Sequence, residues 1–313
     1  MPVLDIAMIL GGLVALYLGA EGLVKGASSA SLRLGITPLV IGLTVVAFGT
    51  SAPELLVGLL GSDDISVGTI LGSNVANIAL ILGTAALIRP IEVKARAVRR
   101  DMPVMVAATI LFIVLAYDGV LSRVDGAILL TGLALYLGYT FLEARRDMDQ
   151  YRDLWEGEID EGEGRHPALD GLLVVGGIAV LALGAKLMVD GATSIAFAFG
   201  ISELVIAITI VALGTSLPEL ATSVVAAIRD EADISVGNVI GSNIFNLLMV
   251  LGVVASVGAV TIEADALKID IWVVLALSII IWPLLRTGHI LSRREGAILL
   301  ALYVGYVVSL FLR

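Results

Sequence analysis

The sequence contains no cysteine, which excludes disulfides and thiolate metal centres and says nothing of compartment. Histidine is almost as scarce: His166 and His289 both fall in segments read as solvated loops, and neither has metal-ligand spacing around it. Charged residues make up 15% of the 313 positions, against about 25% in soluble domains. Basic residues are fewer than acidic ones, 19 against 29, giving a net charge of −10. With no basic stripe to offset that charge, nucleic-acid binding is excluded. The enzyme templates H-E-x-x-H, P-loop and G-x-S-x-G are missing, and no nucleophile–base pair stands out. The first apolar run, VLDIAMILGGLVALYLGAEGLV, lacks a basic leader and an A-x-A cleavage site, so it reads as a retained helix.

What the chain does have is apolar length. It is 58% hydrophobic, with a mean hydropathy of +1.03, where soluble domains are about 45–50% apolar. Runs of the roughly 20 residues needed to cross a bilayer recur along almost all of it. The expected spans lie near 3–24, 37–60, 66–88, 102–117, 124–143, 169–189, 203–228, 235–260, 268–285 and 294–312. This is an all-α integral membrane protein of ten transmembrane helices. The longest polar stretch, Glu143 to Asp170, is too short for a domain and reads as a solvated linker. Residues 1–143 then form one five-helix half, 144–168 the linker and 169–313 the second half.

The halves are repeats. Residues 18–54 align without gaps to 183–219, with more than half the positions identical. The match resumes after a loop difference, where ISVGTILGSNVANIALILG from Ile65 pairs with ISVGNVIGSNIFNLLMVLG from Ile234. Five is odd, so the second half crosses in the opposite sense, the inverted-repeat plan of secondary transporters. Basic residues agree with it. Arg89, Lys94, Arg96, Arg99, Arg100, Arg145, Arg146, Arg152, Arg165, Arg286, Arg293 and Arg294, with Lys25, Arg33 and Arg229, all fall on one side, leaving Arg123, Lys186, Lys268 and Arg313 on the other. By the positive-inside rule both termini lie outside and the linker is cytoplasmic.

Each half carries one costly motif, GTSAPELLVG from Gly49 and GTSLPELATS from Gly214. A carboxylate at mid-membrane costs about 2.5–3.5 kcal/mol on insertion scales, so Glu54 and Glu219 are functional candidates. Pro53 and Pro218 lack an N–H, clash with the carbonyls of Gly49 and Gly214, and disfavour helical geometry at Ala52 and Leu217. Bare carbonyls at that depth are tolerated only against protein or a wet cavity. With the hydroxyls of Thr50, Ser51, Thr215 and Ser216 they supply hard oxygen donors suited to Na⁺ or Ca²⁺. On the facing spans, Ser73 and Asn77 share one helical face, as do Ser242 and Asn246, with Asn74 and Asn243 one step round. Gly72 and Gly241 are expected to allow close helix approach there. Two glutamates give a charge of −2, which one Ca²⁺ or two Na⁺ neutralise, and competition at one site is the physical basis of exchange. A structural kink is the bland alternative for either motif alone; two copies at matching positions argue against it. Asp118, Asp125 and Glu263 lie near span ends and read as interfacial.

GTSAPE and GTSLPE, each followed by GSN, resemble the paired alpha repeats of the cation/calcium antiporter superfamily, most nearly the prokaryotic sodium/calcium exchangers. The resemblance covers nearly the whole chain. It implies four cation sites in a central diamond of spans 2, 3, 7 and 8, with Glu54 and Glu219 shared by calcium and sodium. It further implies carbonyls of Thr50 and Thr215 for calcium, carbonyls of Ala47 and Ala212 for flanking sodium sites, hydroxyls of Ser51, Ser73, Ser216 and Ser242, and Asn77 and Asn246 around the middle site. Spans 1 and 6 are implied to slide against this core. Many relatives, potassium-dependent ones included, carry aspartate where Asn246 stands; asparagine removes a third carboxylate and argues against potassium co-transport. The linker lacks room for the calcium-binding regulatory domains of animal exchangers.

The expectation is therefore a Na⁺/Ca²⁺ antiporter of the cell membrane that expels calcium by alternating access; the family resemblance implies three Na⁺ for one Ca²⁺. It needs the lipid bilayer, no cofactor and no obligate protein partner. A Ca²⁺/H⁺ antiporter of the same fold, with protonation of Glu54 and Glu219 replacing sodium, is the alternative. A passive cation channel is the rival from another class, and the paired broken helices argue against it.

Overall fold

A computed structural model describes residues 2–60, 63–155, 167–199, 212–262, 266–286 and 288–312. Helix α1 (Pro2–Leu34) ends where Gly35 adopts φ 64°, and the Ile36 N–H reaches back to the Ser31 carbonyl at 3.0 Å. That left-handed residue followed by a long back-bond is a Schellman stop, which glycine makes without strain. After extended Thr37, Pro38 opens α2 (38–50), which contains a wide π-type turn at Gly42–Val46. A short break separates it from α3 (Ala52–Leu60). Next come α4 (63–88), strand β1 (Ile91–Glu92), α5 (97–115), β2 (Val120–Leu121) and α6 (Arg123–Trp155). The order then recurs: α7 (Pro167–Ala198), α8 (Ala212–Thr215), α9 (Leu217–Ile228), α10 (Ala232–Val257), β3 (Val260–Thr261), α11 (Ala266–Arg286), β4 (Ile290–Leu291) and α12 (Arg293–Phe311).

Among the described residues seven helices are long and apolar enough to cross a membrane. The first expected span is longer than its apolar pattern: α1 runs 33 residues, about 50 Å at 1.5 Å per residue against a bilayer core of about 30 Å. The expected linker is partly helical, since α6 continues to Trp155 and α7 begins at Pro167. Residues 156–166 with His166, residues 200–211 with the start of the seventh expected span, and Glu263 lie outside the described residues. Among the described residues the regular structure is helical apart from two small ladders, β1 with β4 (Ile91 opposite Leu291) and β2 with β3 (Val120 opposite Thr261), each antiparallel and each joining the two halves.

The core sits on α4 and α10: 78% and 89% of their most apolar windows are buried, against 22% in α1 and α7. Those outer helices pack antiparallel along a glycine seam. A Cβ on Gly12 would lie 2.7 Å from the Gly184 carbonyl, one on Gly19 2.9 Å from that of Gly177, and one on Gly26 2.9 Å from that of Asp170. Spacing by seven residues keeps these glycines on one stripe, so the backbones themselves touch. Contacts recur with the halves exchanged. Arg123 donates to the Val257 carbonyl at 3.2 Å, and Arg293 to that of Ile88 at 3.2 Å. Gly126 abuts the Gly252 carbonyl as Gly296 abuts that of Gly83. Asp125 caps α6 by accepting from the N–H of Ser122, and Glu295 completes a capping box on Ser292 at the start of α12. Asp118 accepts from the Val120 N–H at 3.1 Å, and exposed His289 offers its carbonyl to Val93, so both serve the ladder ends.

Candidate functional site

The two Pro-Glu motifs break their helices one residue earlier than proline sterics alone suggest. Ala52 and Leu217 are helical, and the irregular residues are Ser51 (φ −80°, ψ 5°) and Ser216 (φ −87°, ψ 3°). Each proline thereby enters the first turn of a new helix, where its missing N–H costs nothing. The helices restart with Leu55 N–H on the Ser51 carbonyl (3.2 Å) and Leu220 N–H on that of Ser216 (3.0 Å). Both carboxylates therefore stand in the first turn of a short helix and are themselves buried, Glu54 at 1% exposure and Glu219 at 0%.

Each carboxylate is served by the opposite motif. Ser51 Oγ donates to Glu219 Oε1 at 3.4 Å, and Thr50 of the same motif lies against that carboxylate. In exchange, Thr215 and Ser216 of the second motif lie against the Glu54 side chain. Ser216 Oγ also donates to Ser73 Oγ at 3.1 Å, which in turn donates to Glu54 Oε1 at 3.3 Å. The second oxygen of each carboxylate, Oε2, is buried without a protein partner. An isolated ionised carboxylate is not stable in such a place unless it is paired, protonated or bound to a cation.

The facing helices complete a neutral oxygen-rich shell. Ser242 lies 3.4 Å from Thr50 Oγ1, and Asn246 donates from Nδ2 to Asn74 Oδ1 at 3.1 Å. Both polar atoms of Asn77 and the Oδ1 of Asn246 are buried and unpartnered. Asn246 opens one π-type turn and Asn77 is the second residue of another, with the Leu82 N–H on the Asn77 carbonyl and the Leu251 N–H on that of Asn246. Such turns turn the helix face locally and concentrate at functional sites. Ala47 is buried on α2, and Ala212 is the first residue of α8. Glu54, Glu219, Thr50, Thr215, Ser51, Ser216, Ser73, Ser242, Asn77 and Asn246 are all buried in this one region. Among the described residues no three His, Cys, Asp or Glu cluster; the donors here are two carboxylates and many neutral oxygens. That set can strip water from a hard cation while balancing a charge of two.

One expected glycine does not do what its repeat partner does. A Cβ on Gly241 would come within 2.6 Å of Ala47 Cβ and 2.7 Å of the Leu43 carbonyl, whereas one on Gly72 would meet nothing within 4 Å. Repeat logic also passed over Asn238 and Ser223. Asn238 Nδ2 donates to Ser223 Oγ at 3.0 Å and to the Glu219 carbonyl at 3.3 Å, and both residues are fully buried. A signal was present: two polar residues on apolar spans, one helical turn from motif residues.

A family model described as sodium/calcium exchanger protein matches residues 4–142 and 170–312. The chain belongs to the sodium/calcium exchanger family. It is 40% identical over 313 residues to the putative antiporter CaxA of Alkalimonas amylolytica, covering 97% of each chain. It is 32% identical over 356 residues to the sodium/calcium exchanger MaX1 of Methanosarcina acetivorans, covering 99% of each. It superposes with a TM-score of 0.84 on the sodium-calcium exchanger NCX_Mj in a crystal soaked with zero Na⁺ and Ca²⁺, at 32% identity, covering 99% of this chain and 100% of that one. These are transporters and not enzymes, and family membership makes this exchanger a membrane cation antiporter of the calcium-transporting class.

Proposed function

We propose that this exchanger moves Na⁺ down its gradient to expel Ca²⁺ by alternating access. Glu54 and Glu219 are the shared ligands in this reading. Thr50 and Thr215 give carbonyls to calcium, and Ala47 and Ala212 give carbonyls to flanking sodium sites. Ser51, Ser73, Ser216 and Ser242 add hydroxyls, and Asn77 and Asn246 line the middle. The observation that carries the reading is the crossed arrangement of two buried carboxylates, each held by the other motif's hydroxyls and each with one oxygen unpartnered. Moving one motif relative to the other opens or closes both cradles together, so a bound cation and the conformation are coupled.

The chain is organised, in this reading, as ten spans in two inverted five-helix repeats, residues 1–143 and 169–313, joined by a cytoplasmic segment 144–168, with both termini outside. Contacts that recur with the halves exchanged support the inversion, and the basic residues support the orientation. The glycine seam between α1 and α7 offers few side-chain ridges to interlock, which suits a sliding pair.

Radioactive calcium uptake into sodium-loaded proteoliposomes diluted into sodium-free buffer tests the proposal. Uptake is expected to require the outward sodium gradient and to persist when proton gradients are collapsed. Uptake driven by a pH gradient and indifferent to sodium would make protons the counter-ion, and flux with no counter-ion dependence would mean a channel.

A further inference from the structure

We propose that Asn238 is a positioning residue for sodium, holding the Thr50 hydroxyl proton so that the Ala47 carbonyl keeps a free lone pair for the ion. The inference rests on the assignment of the Ala47 carbonyl to a sodium site given above.

The orientation of the Asn238 amide is fixed by its neighbours. One contact, at 3.3 Å, is to the main-chain oxygen of Glu219, and a carbonyl only accepts, so the amide atom facing it is the nitrogen. The same nitrogen donates to Ser223 Oγ at 3.0 Å. Oδ1 therefore points the other way, to Thr50 Oγ1 at 3.1 Å, and Thr50 is the donor in that bond.

A threonine hydroxyl has one proton, and two groups that can only accept lie within hydrogen-bond distance of this one, with Ser242 Oγ at 3.4 Å able to take either role. Besides Asn238 Oδ1 at 3.1 Å there is the Ala47 carbonyl, three residues back on the same helix, at 3.4 Å. Back-bonding of that kind is the ordinary resting state of a helical threonine. The Ala47 carbonyl already accepts the Ser51 N–H at 3.0 Å. A carbonyl has two lone pairs, so a second bond from Thr50 would leave none for a cation. Asn238, the nearer acceptor, draws the proton away. The lone pairs of Thr50 Oγ1 then also face the site, where Ser242 lies 3.4 Å off. The first half supplies Thr69 at the position matching Asn238 and Gly58 at that matching Ser223, so this device exists on one side of the site only.

The test is a double-mutant cycle in proteoliposomes on Asn238→Ala and Thr50→Val, reading calcium uptake against internal sodium and, separately, against external calcium. Asn238→Ala is expected to raise the half-saturating sodium concentration about fivefold, the size of one ordinary hydrogen bond. The calcium KM is expected to stay within about twofold, because no calcium donor is displaced. In the Thr50→Val background, which has no hydroxyl to fall back on Ala47, adding Asn238→Ala is expected to leave the sodium value unchanged. Should Asn238→Ala not be recovered folded, Asn238→Thr, the residue of the matching position, is read in the same way. Equal losses for sodium and calcium, an unchanged sodium value, or an effect that persists beside Thr50→Val would overturn the proposal. A wild-type protein that takes up calcium without any sodium requirement overturns the underlying reading as well, and that failure shows before any variant is made.

Discussion

Around Glu54 and around Glu219 the chain repeats itself almost letter for letter, yet the two surroundings differ. One turn past Glu219, Thr222 and Ser223 stand where the first half has Val57 and Gly58, and Asn238 faces them where the first half has Thr69. The shared letters produce what the halves share: a break at the serine, a proline in the new first turn, and a carboxylate held by the opposite motif. The unshared letters make the second side more polar and more tightly bonded. Two equivalent halves would offer two equivalent sets of donors, so this inequality is what lets the two sides of the site treat a cation differently.

The largest effect is expected where the halves are most alike. Glu54→Gln or Glu219→Gln should each lower sodium-dependent calcium uptake by about 100-fold or more, since each removes a charge that a buried divalent ion needs. The protein should still insert and purify as the wild type does. Normal exchange in either variant would remove that carboxylate from the site, and a large loss in one beside a mild loss in the other would mean that the halves divide the ions unequally.

Next in size is the glycine comparison. Gly241→Ala would drive a methyl into the Leu43 backbone and Ala47, so either α2 or α10 must shift beside the site. A cost of about 1–3 kcal/mol is expected, seen as a lower melting temperature in detergent and slower uptake. Gly72→Ala, at the matching position with nothing in reach, should instead be neutral or gain about 0.5–1 kcal/mol as a better helix former. Equal outcomes would mean that α4 and α10 meet their neighbours alike.

The sequence carries the fold's plan because bilayer thickness and burial of charge are enforced residue by residue. Hydropathy marks the spans, and the duplicated GTS-x-PE draws attention to Glu54 and Glu219 wherever they end up. Which motif's hydroxyls meet which carboxylate is a tertiary matter, and neither Ser51 nor Ser216 reveals that its partner lies in the other half. Asn238 escaped for a different reason. A search for what the halves share discards the positions at which they differ, and those positions are where one side of the site is made unlike the other. Gly72 and Gly241 show the converse, identical letters with different neighbours.

A last comparison separates two ion pairs on α1. Arg229 bonds Glu21, but Lys25 also reaches Glu21 at 2.9 Å, and this cluster is partly solvated. Arg229→Gln should therefore change stability by no more than about 1 kcal/mol, because Lys25 still balances the carboxylate and water screens the remainder. Arg33 instead donates from Nε, at 3.1 Å, to Asp170, whose side chain is only 3% exposed and whose other oxygen is buried without a partner. Arg33→Gln leaves that aspartate buried and short of its cation, so a loss of about 2–3 kcal/mol is expected. Because Asp170 lies at the end of the glycine seam that joins α7 to α1, the same variant should also shift the balance between the two access states. The sign of that shift is readable as opposite changes in calcium KM on the two sides of the membrane. Equal melting temperatures for the two variants would mean that Asp170 draws its stability from the α7 terminus and not from Arg33.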